Sequence, residues 1–173
     1  MEFERAVQSF QASARRTVQT CEGIDAVTWV AQPPHRRHSI SEVFEHVTLS
    51  IDLFRARLEK ILASPEGAAV FSTYEDEEIP HLFERVDEPP GIAAPTGAWT
   101  DRDAALQKFS DAVAALVATA QSGSINMRTR GASHPIFGPM DGVQWALFAA
   151  AHTERHRSEI IGLSRLAPAV VLE

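Results

Sequence analysis

His152 and His156 are the residues whose type and spacing best fit a chemical role. Four positions apart on a helix, both side chains project from one face with their Cβ atoms about 6 Å apart. Two imidazoles so placed can converge on one cation. Spacing alone is a weak signal, because seven histidines among 173 residues give about 0.3 such pairs by accident. Their placement strengthens it. At about 100° per residue, Trp145, Phe148, Ala149, His152, His156, Ile160 and Leu163 fall within one third of the helix circumference. Both histidines thus lie in the apolar stripe, where each ring must find a polar partner in a low-dielectric interior. A metal ion meets that need by taking a lone pair from each ring. Two structural histidines held by ordinary hydrogen bonds are the competing reading.

A third ligand has to come from another helix. His46 is the natural candidate, with Ser50 one turn along. The same geometry puts His46 about 90° from the centre of its own apolar stripe, at the rim of the core and within reach of solvent. A helical histidine that is exposed and binds nothing fits that position too. His35, His38, His81 and His134 read as surface or turn residues, and His134, just before Pro135, as a structural one. Glu159 shares the face of the histidine pair, either as an acceptor that orients a ring or as a surface-edge residue. Cys21 is the lone cysteine, which excludes an internal disulfide framework and a multi-cysteine zinc site. A small buried apolar role at a helix end suits it.

The elements that position these residues are helices. Apolar residues recur every three or four positions in four segments. The first runs from about Glu2 to Thr20, with Phe3, Val7, Phe10, Ala14, Val18 and Cys21 on one stripe and Gly23 as its stop. Gly23 to His38, with Pro33-Pro34, reads as an extended crossing segment. The second helix opens on Ser39-Ile40-Ser41-Glu42, a capping box, and ends before Ser64-Pro65. The third runs from about Thr100-Asp101 to Gln121, with Phe109, Val113, Leu116 and Ala120 inward and Gly123 as its terminator.

The fourth runs from Asp141, in capping-box spacing with Gln144, to about Leu166 before Ala167-Pro168. Ser124 to Met140 reads as irregular. Between the second and third helices, residues 63–100 form a long irregular connection, interrupted by Pro89-Pro90-Gly91. Its acidic run Glu75-Asp76-Glu77-Glu78 reads as solvated surface, and His81 to Val86 as one or two helical turns after Pro80. A connection of this length is more often a wall or lid than slack. The expectation is an all-α, four-helix bundle in a single domain over residues 1–173.

Composition narrows the partners. Apolar residues make up 45% and charged residues 23%, an ordinary globular mixture. No apolar stretch approaches the roughly 18 residues of a membrane span. The first five residues, Met1-Glu2-Phe3-Glu4-Arg5, lack a basic leader, so a cytoplasmic protein without a targeting signal is expected. A formal charge of −7 argues against nucleic acid, whose phosphates demand clustered positive charge.

Together these residues resemble the DinB-like family, in particular its subfamily of YfiT-like proteins and low-molecular-weight thiol transferases. The resemblance is carried by Ser39-Ile40-Ser41-Glu42-Val43-Phe44-Glu45-His46, similar to the family's entry into its first ligand helix. His134-Pro135-Ile136-Phe137-Gly138-Pro139, then Gln144-Trp145, then His152 to Glu159, are similar to its closing pattern of turn, helix and paired histidines. One departure is Glu159, where family members often carry glutamine. The resemblance implies a four-helix bundle and a nickel or zinc ion on His46, His152 and His156, with homodimers frequent. It implies thiol S-transfer for some members and metal-dependent hydrolysis for others. The leading expectation is a metal-dependent enzyme that activates a small thiol or water, with Arg155 and the 63–100 connection shaping its pocket. The rival is a non-catalytic metal-binding or dimeric small-molecule-binding bundle. A site with open positions on the metal and a cleft beside it distinguishes the first from the second.

Overall fold

A computed structural model describes residues 2–65, 72–84, 93–122 and 126–166. The expected breaks at Gly123, Pro89-Pro90-Gly91 and Ala167-Pro168 lie outside those residues. The chain is mostly helical, with long helices α1 (Phe3–Glu22), α3 (Ile40–Ala63), α4 (Arg102–Gln121) and α5 (Gly142–Leu166). The short helix α2 spans Ala26–Val30, a 3-10 helix spans Asp76–Glu84, and strands β1 (Gly131–His134) and β2 (Gly138–Asp141) form a hairpin. No helix of the described residues is long and apolar enough to cross a membrane.

Helix α1 packs along α5 and touches α4, and α3 packs along both α4 and α5. The stripes read from periodicity face these contacts. Phe10 and Ala14 of α1, Val43, Val47 and Ile51 of α3, Phe109 and Leu116 of α4, and Ile160 and Leu163 of α5 share one buried cluster. Cys21 is buried in it, and burial pushes its thiol up to about 12, partly offset by the Arg102 charge. The thiol is therefore a packing group, as expected.

Helix starts are set by local capping. Ser39 accepts from the backbone N–H of Glu42, and Glu42 accepts in return from the Ser39 N–H at 2.8 Å. Asp141 and Gln144 make the same reciprocal pair, at 2.9 and 3.2 Å. Asp101 caps α4 through the Ala104 N–H.

Three connections differ from their reading as irregular or solvated. The Gly23–His38 segment contains α2, because Asp25 accepts from the N–H groups of Val27 and Thr28 and so nucleates a turn. Burial of Trp29, whose indole N–H donates to the Trp99 carbonyl at 2.9 Å, holds that turn in place. In the Ser124–Met140 stretch, β1 and β2 pair antiparallel with Ala132 opposite Met140. Four-residue strands containing Gly and Pro carry too little alternation to be read from sequence. The acidic run begins the 3-10 helix, which continues through Pro80 rather than starting after it. Asp76 is not solvated surface either. Arg128 bridges it to Asp141, with contacts of 2.8 and 2.9 Å, and holds the Asp76 carboxyl down at about 2.

The start of α5 is held tightly. Gly142 donates its N–H to the carbonyls of Met127 and Arg130, both at 2.9 Å. A Cβ at Gly142 would stand 2.4 Å from the Met127 methyl and 3.1 Å from the Met127 Cβ and carbonyl oxygen. Gly142→Ala should therefore destabilise the fold by about 1–3 kcal/mol through overpacking. Chemical denaturation checks this, and an unchanged midpoint would contradict the close approach.

Candidate metal centre

Helices α3 and α5 run antiparallel across a shared aromatic seam. Phe54 meets Trp145 and Phe148 at ring distances of 6.4 and 5.7 Å, and one to two turns further His46 meets His152 and His156. The four-residue spacing on α5 sets its two rings edge to face, with centroids 4.5 Å apart. His46 enters from α3, its ring centre 5.4 Å from that of His152 and 4.8 Å from that of His156. Each ring offers one nitrogen within 4.8 Å of those of the other two. The three side chains are 7%, 5% and 3% exposed for His46, His152 and His156.

Burial of His46 corrects its expected place at the rim of the core. Nearly the whole circumference of α3 from Ile40 to Ile51 is covered, including the polar Ser41, Glu45, Thr48 and Ser50. Helix α5 lies against one side of this half of α3. Phe44 packs on Trp29 and Phe109 on a second. The stretch from Ala93 to Gly97 covers a third. A helical-wheel argument that sees a single apolar stripe cannot anticipate a helix walled on three sides.

Hydrogen bonds define the protonation of two rings. His46 Nδ1 lies 2.9 Å from the Ala93 carbonyl oxygen, and His156 Nδ1 lies 2.9 Å from a Glu159 carboxylate oxygen. Carbonyl and carboxylate oxygens only accept, so each Nδ1 carries the proton as donor. The neutral ring then has its lone pair on Nε2, the form in which imidazole binds a metal. Glu159 is thus both an acceptor that orients the His156 ring and a surface-edge residue, its side chain 44% exposed. That exposure sets His156 one side chain away from solvent. Ser50 donates to the His46 carbonyl at 2.9 Å, and its hydroxyl stands 3.5 Å from His46 Nε2.

The donor set fits a divalent cation. Neutral nitrogen ligands bind zinc at about 2.0–2.1 Å, and acceptors behind two of the rings orient them for it. Three protein nitrogens are one fewer than a closed tetrahedral site requires.

The sequence model of the DinB superfamily matches residues 9–160, from the second turn of α1 almost to the end of α5. The chain belongs to the DinB superfamily. No curated protein and no solved structure matches it. Within this DinB chain, the match includes all three histidines, Glu159, and the connections around them.

Two stretches of the 63–100 connection, expected to form a wall or lid, stand against the site, although neither particular contact was legible in the sequence. Phe83, from the 3-10 helix, places its ring 5.4 Å from that of His152. Arg155 holds it there, donating to the Phe83 carbonyl at 3.3 Å with its guanidinium 5.5 Å from the ring centre. Phe54 meets the His152 ring edge-on at 5.4 Å. Ala93 supplies the carbonyl behind His46, from a backbone with φ of +49°, a conformation that costs a non-glycine residue free energy. Nothing in an isolated alanine signals such a role.

The remaining histidines stand apart from the cluster. His35 and His81 are exposed and His38 is half-buried beside Glu42. His134 ends β1 instead of lying in the turn. Its Nδ1 accepts from the N–H groups of Ile136 and Phe137, and its ring packs against Phe137, Trp145 and Phe148. Burial, and to a lesser degree the Arg57 charge, lowers its pKa from 6.5 to about 4. Between those values the unfolded chain binds the proton more readily, so this contribution to stability is full above pH 6.5 and is lost as pH falls towards 4. His134→Asn, which keeps an acceptor for the turn, should flatten the decline of Tm across that window. Equal slopes for the two proteins would refute the assignment.

Proposed function

We propose that His46, His152 and His156 hold one divalent cation, nickel or zinc, and that the protein is a metal-dependent enzyme acting on a small thiol or on water. The observation that carries this reading is the convergence of three buried imidazoles from two helices, two of them oriented through Nδ1. Membership of a superfamily whose members bind metals supports it. In this reading the four long helices form the family's four-helix bundle, and residues 1–173 make one domain.

A bound divalent cation supplies positive charge that lowers the pKa of a thiol or water at its open positions. The chain's own groups then do the rest. His46 and His156 keep their lone pairs directed by the Ala93 carbonyl and the Glu159 carboxylate. Phe54 and Phe83 form a dry, apolar wall on the His152 side, where charge effects are strengthened by exclusion of water. The half-exposed Glu159 marks the side from which a small substrate approaches.

Thiol S-transfer to an electrophilic carbon is the leading activity, as in the thiol transferases that the chain resembles, and metal-dependent hydrolysis is the alternative. A low-molecular-weight thiol is the proposed partner, in the cytoplasm. We further propose a homodimer. Between α1 and α4 an open groove of about 670 Å³, with Val18, Val113 and Val117 along it between polar residues such as Gln11 and Gln121, offers a face for a second copy. Light scattering on the full chain tests that pairing, and a monomeric mass at micromolar concentration refutes it.

Elemental analysis of the purified protein tests the centre. About one nickel or zinc per chain is expected, and His152→Ala should abolish its retention. Glu159→Ala should weaken affinity about tenfold by releasing His156. Protein that takes up no cation, and whose thermal stability ignores added nickel or zinc, would remove the basis of the reading. Turnover of an electrophile with small thiols, present with metal and absent in His46→Ala, separates catalysis from a purely structural ion.

A further inference from the structure

Glu45 is a carboxylate only 1% exposed, next to His46 in a helix that otherwise buries apolar and hydroxyl groups there. Burying such a group without partners is costly. Its partners lie on the connection leading to α4. One oxygen accepts from the Thr96 hydroxyl at 2.6 Å and the other from the Gly97 N–H at 3.0 Å. Gly97 has φ of +74°, a left-handed conformation that glycine adopts without a Cβ penalty, and Thr96 also accepts from the Ala98 N–H. Three residues before Thr96 stands Ala93, whose carbonyl accepts from His46 Nδ1. Adjacent residues of one helix therefore grip the same short stretch of chain, one through a carboxylate and one through an imidazole.

The two grips are mechanically linked. Only Ala94 and Pro95 separate Ala93 from Thr96, and proline limits the freedom of that span. The Ala93 backbone sits in a conformation disfavoured for alanine and needs external restraint to stay there. The Glu45 contacts provide that restraint on one side. Trp29, donating to the Trp99 carbonyl, anchors the segment further along.

We propose that Glu45 is a positioning residue for the metal centre: by clamping Thr96 and Gly97 it holds the Ala93 carbonyl against His46 Nδ1, and so keeps the His46 lone pair on Nε2. The proposal rests on the three-histidine reading for its functional meaning, but the tautomer of His46 is measurable without any cation. Glu45→Gln keeps the volume but turns one of the two acceptor oxygens into an amide donor, so the paired grip on Thr96 and Gly97 loses one of its two acceptors. Thr96→Val removes the hydroxyl's contacts with Glu45 and with the Ala98 N–H at an exposed position and leaves the core intact.

Long-range ¹H–¹⁵N correlation spectra of the metal-free, full chain at neutral pH read the imidazole tautomers directly. Wild type should show His46 and His156 protonated on Nδ1. In Glu45→Gln, His46 should shift to a mixture of both tautomers while His156, held by Glu159, stays unchanged. Thr96→Val should move His46 in the same direction by a smaller amount. Zinc affinity by chelator competition should fall about tenfold in Glu45→Gln, the range for loss of a group that orients a ligand. His46 remaining on Nδ1 in Thr96→Val and in any folded Glu45→Gln overturns the proposal. If no protein binds zinc but the tautomers shift as described, the metal reading fails and the clamp stands.

Discussion

Three imidazoles buried side by side impose the constraint around which this protein is arranged. A buried ring nitrogen needs a partner, and the backbone of its own helix cannot supply one, because its groups are already paired. His46 finds its partner across the core in the Ala93 carbonyl, and His156 finds one on the next turn in Glu159. Both are pure acceptors. They fix the proton on Nδ1 in each case and leave the neutral ring's lone pair on the other nitrogen. The antiparallel seam between α3 and α5 then brings those rings within one cluster.

The connections carry as much of the site as the helices do. The 3-10 helix delivers Phe83 to His152, and the segment from Ala93 to Trp99 delivers the carbonyl behind His46. Each is fastened by polar side chains as well as by apolar packing, with Ile79 and Leu82 of the 3-10 helix fully buried and Trp99 packed on the core. Arg128 ties Asp76 at the start of the 3-10 helix to Asp141 at the start of α5. Isolated surface pairs contribute little, but one guanidinium shared by two poorly exposed carboxylates is a network with defined geometry. Arg155 adds a second tie from α5 to the same helix. The wall near His152 is thus rigidly referred to the helix that bears the histidine pair.

Legibility in the sequence followed the range of the interactions. The long helices and their starts at Ser39, Asp101 and Asp141 were readable because capping is a bond between residues two or three apart. The inward placement of His152 and His156 was readable because periodicity along one helix reports which face is buried. Helix α2 escaped notice because the Asp25 cap holds only one turn, and that turn survives through the distant Trp29–Trp99 bond. The hairpin escaped because four-residue strands leave almost no pattern, and its turn is stabilised by the ring nitrogen of His134.

What the sequence by itself determined is therefore a mostly helical chain with a histidine pair on the buried face of its last helix. It also supplied His46 as the third candidate, through a resemblance that membership of the DinB superfamily supports at the level of the family. Tertiary structure decided the rest: that His46 is buried rather than at the rim, that its ring joins the other two, and that the Ala93 carbonyl orients it, whereas Glu159, three residues from His156, was already a candidate acceptor in the sequence. The physical reason is distance along the chain. Ala93 lies far from His46 in sequence, and their bond exists only once α3, α4 and the intervening segment have packed. A backbone carbonyl is the same group in every residue, so only the fold can assign it a role.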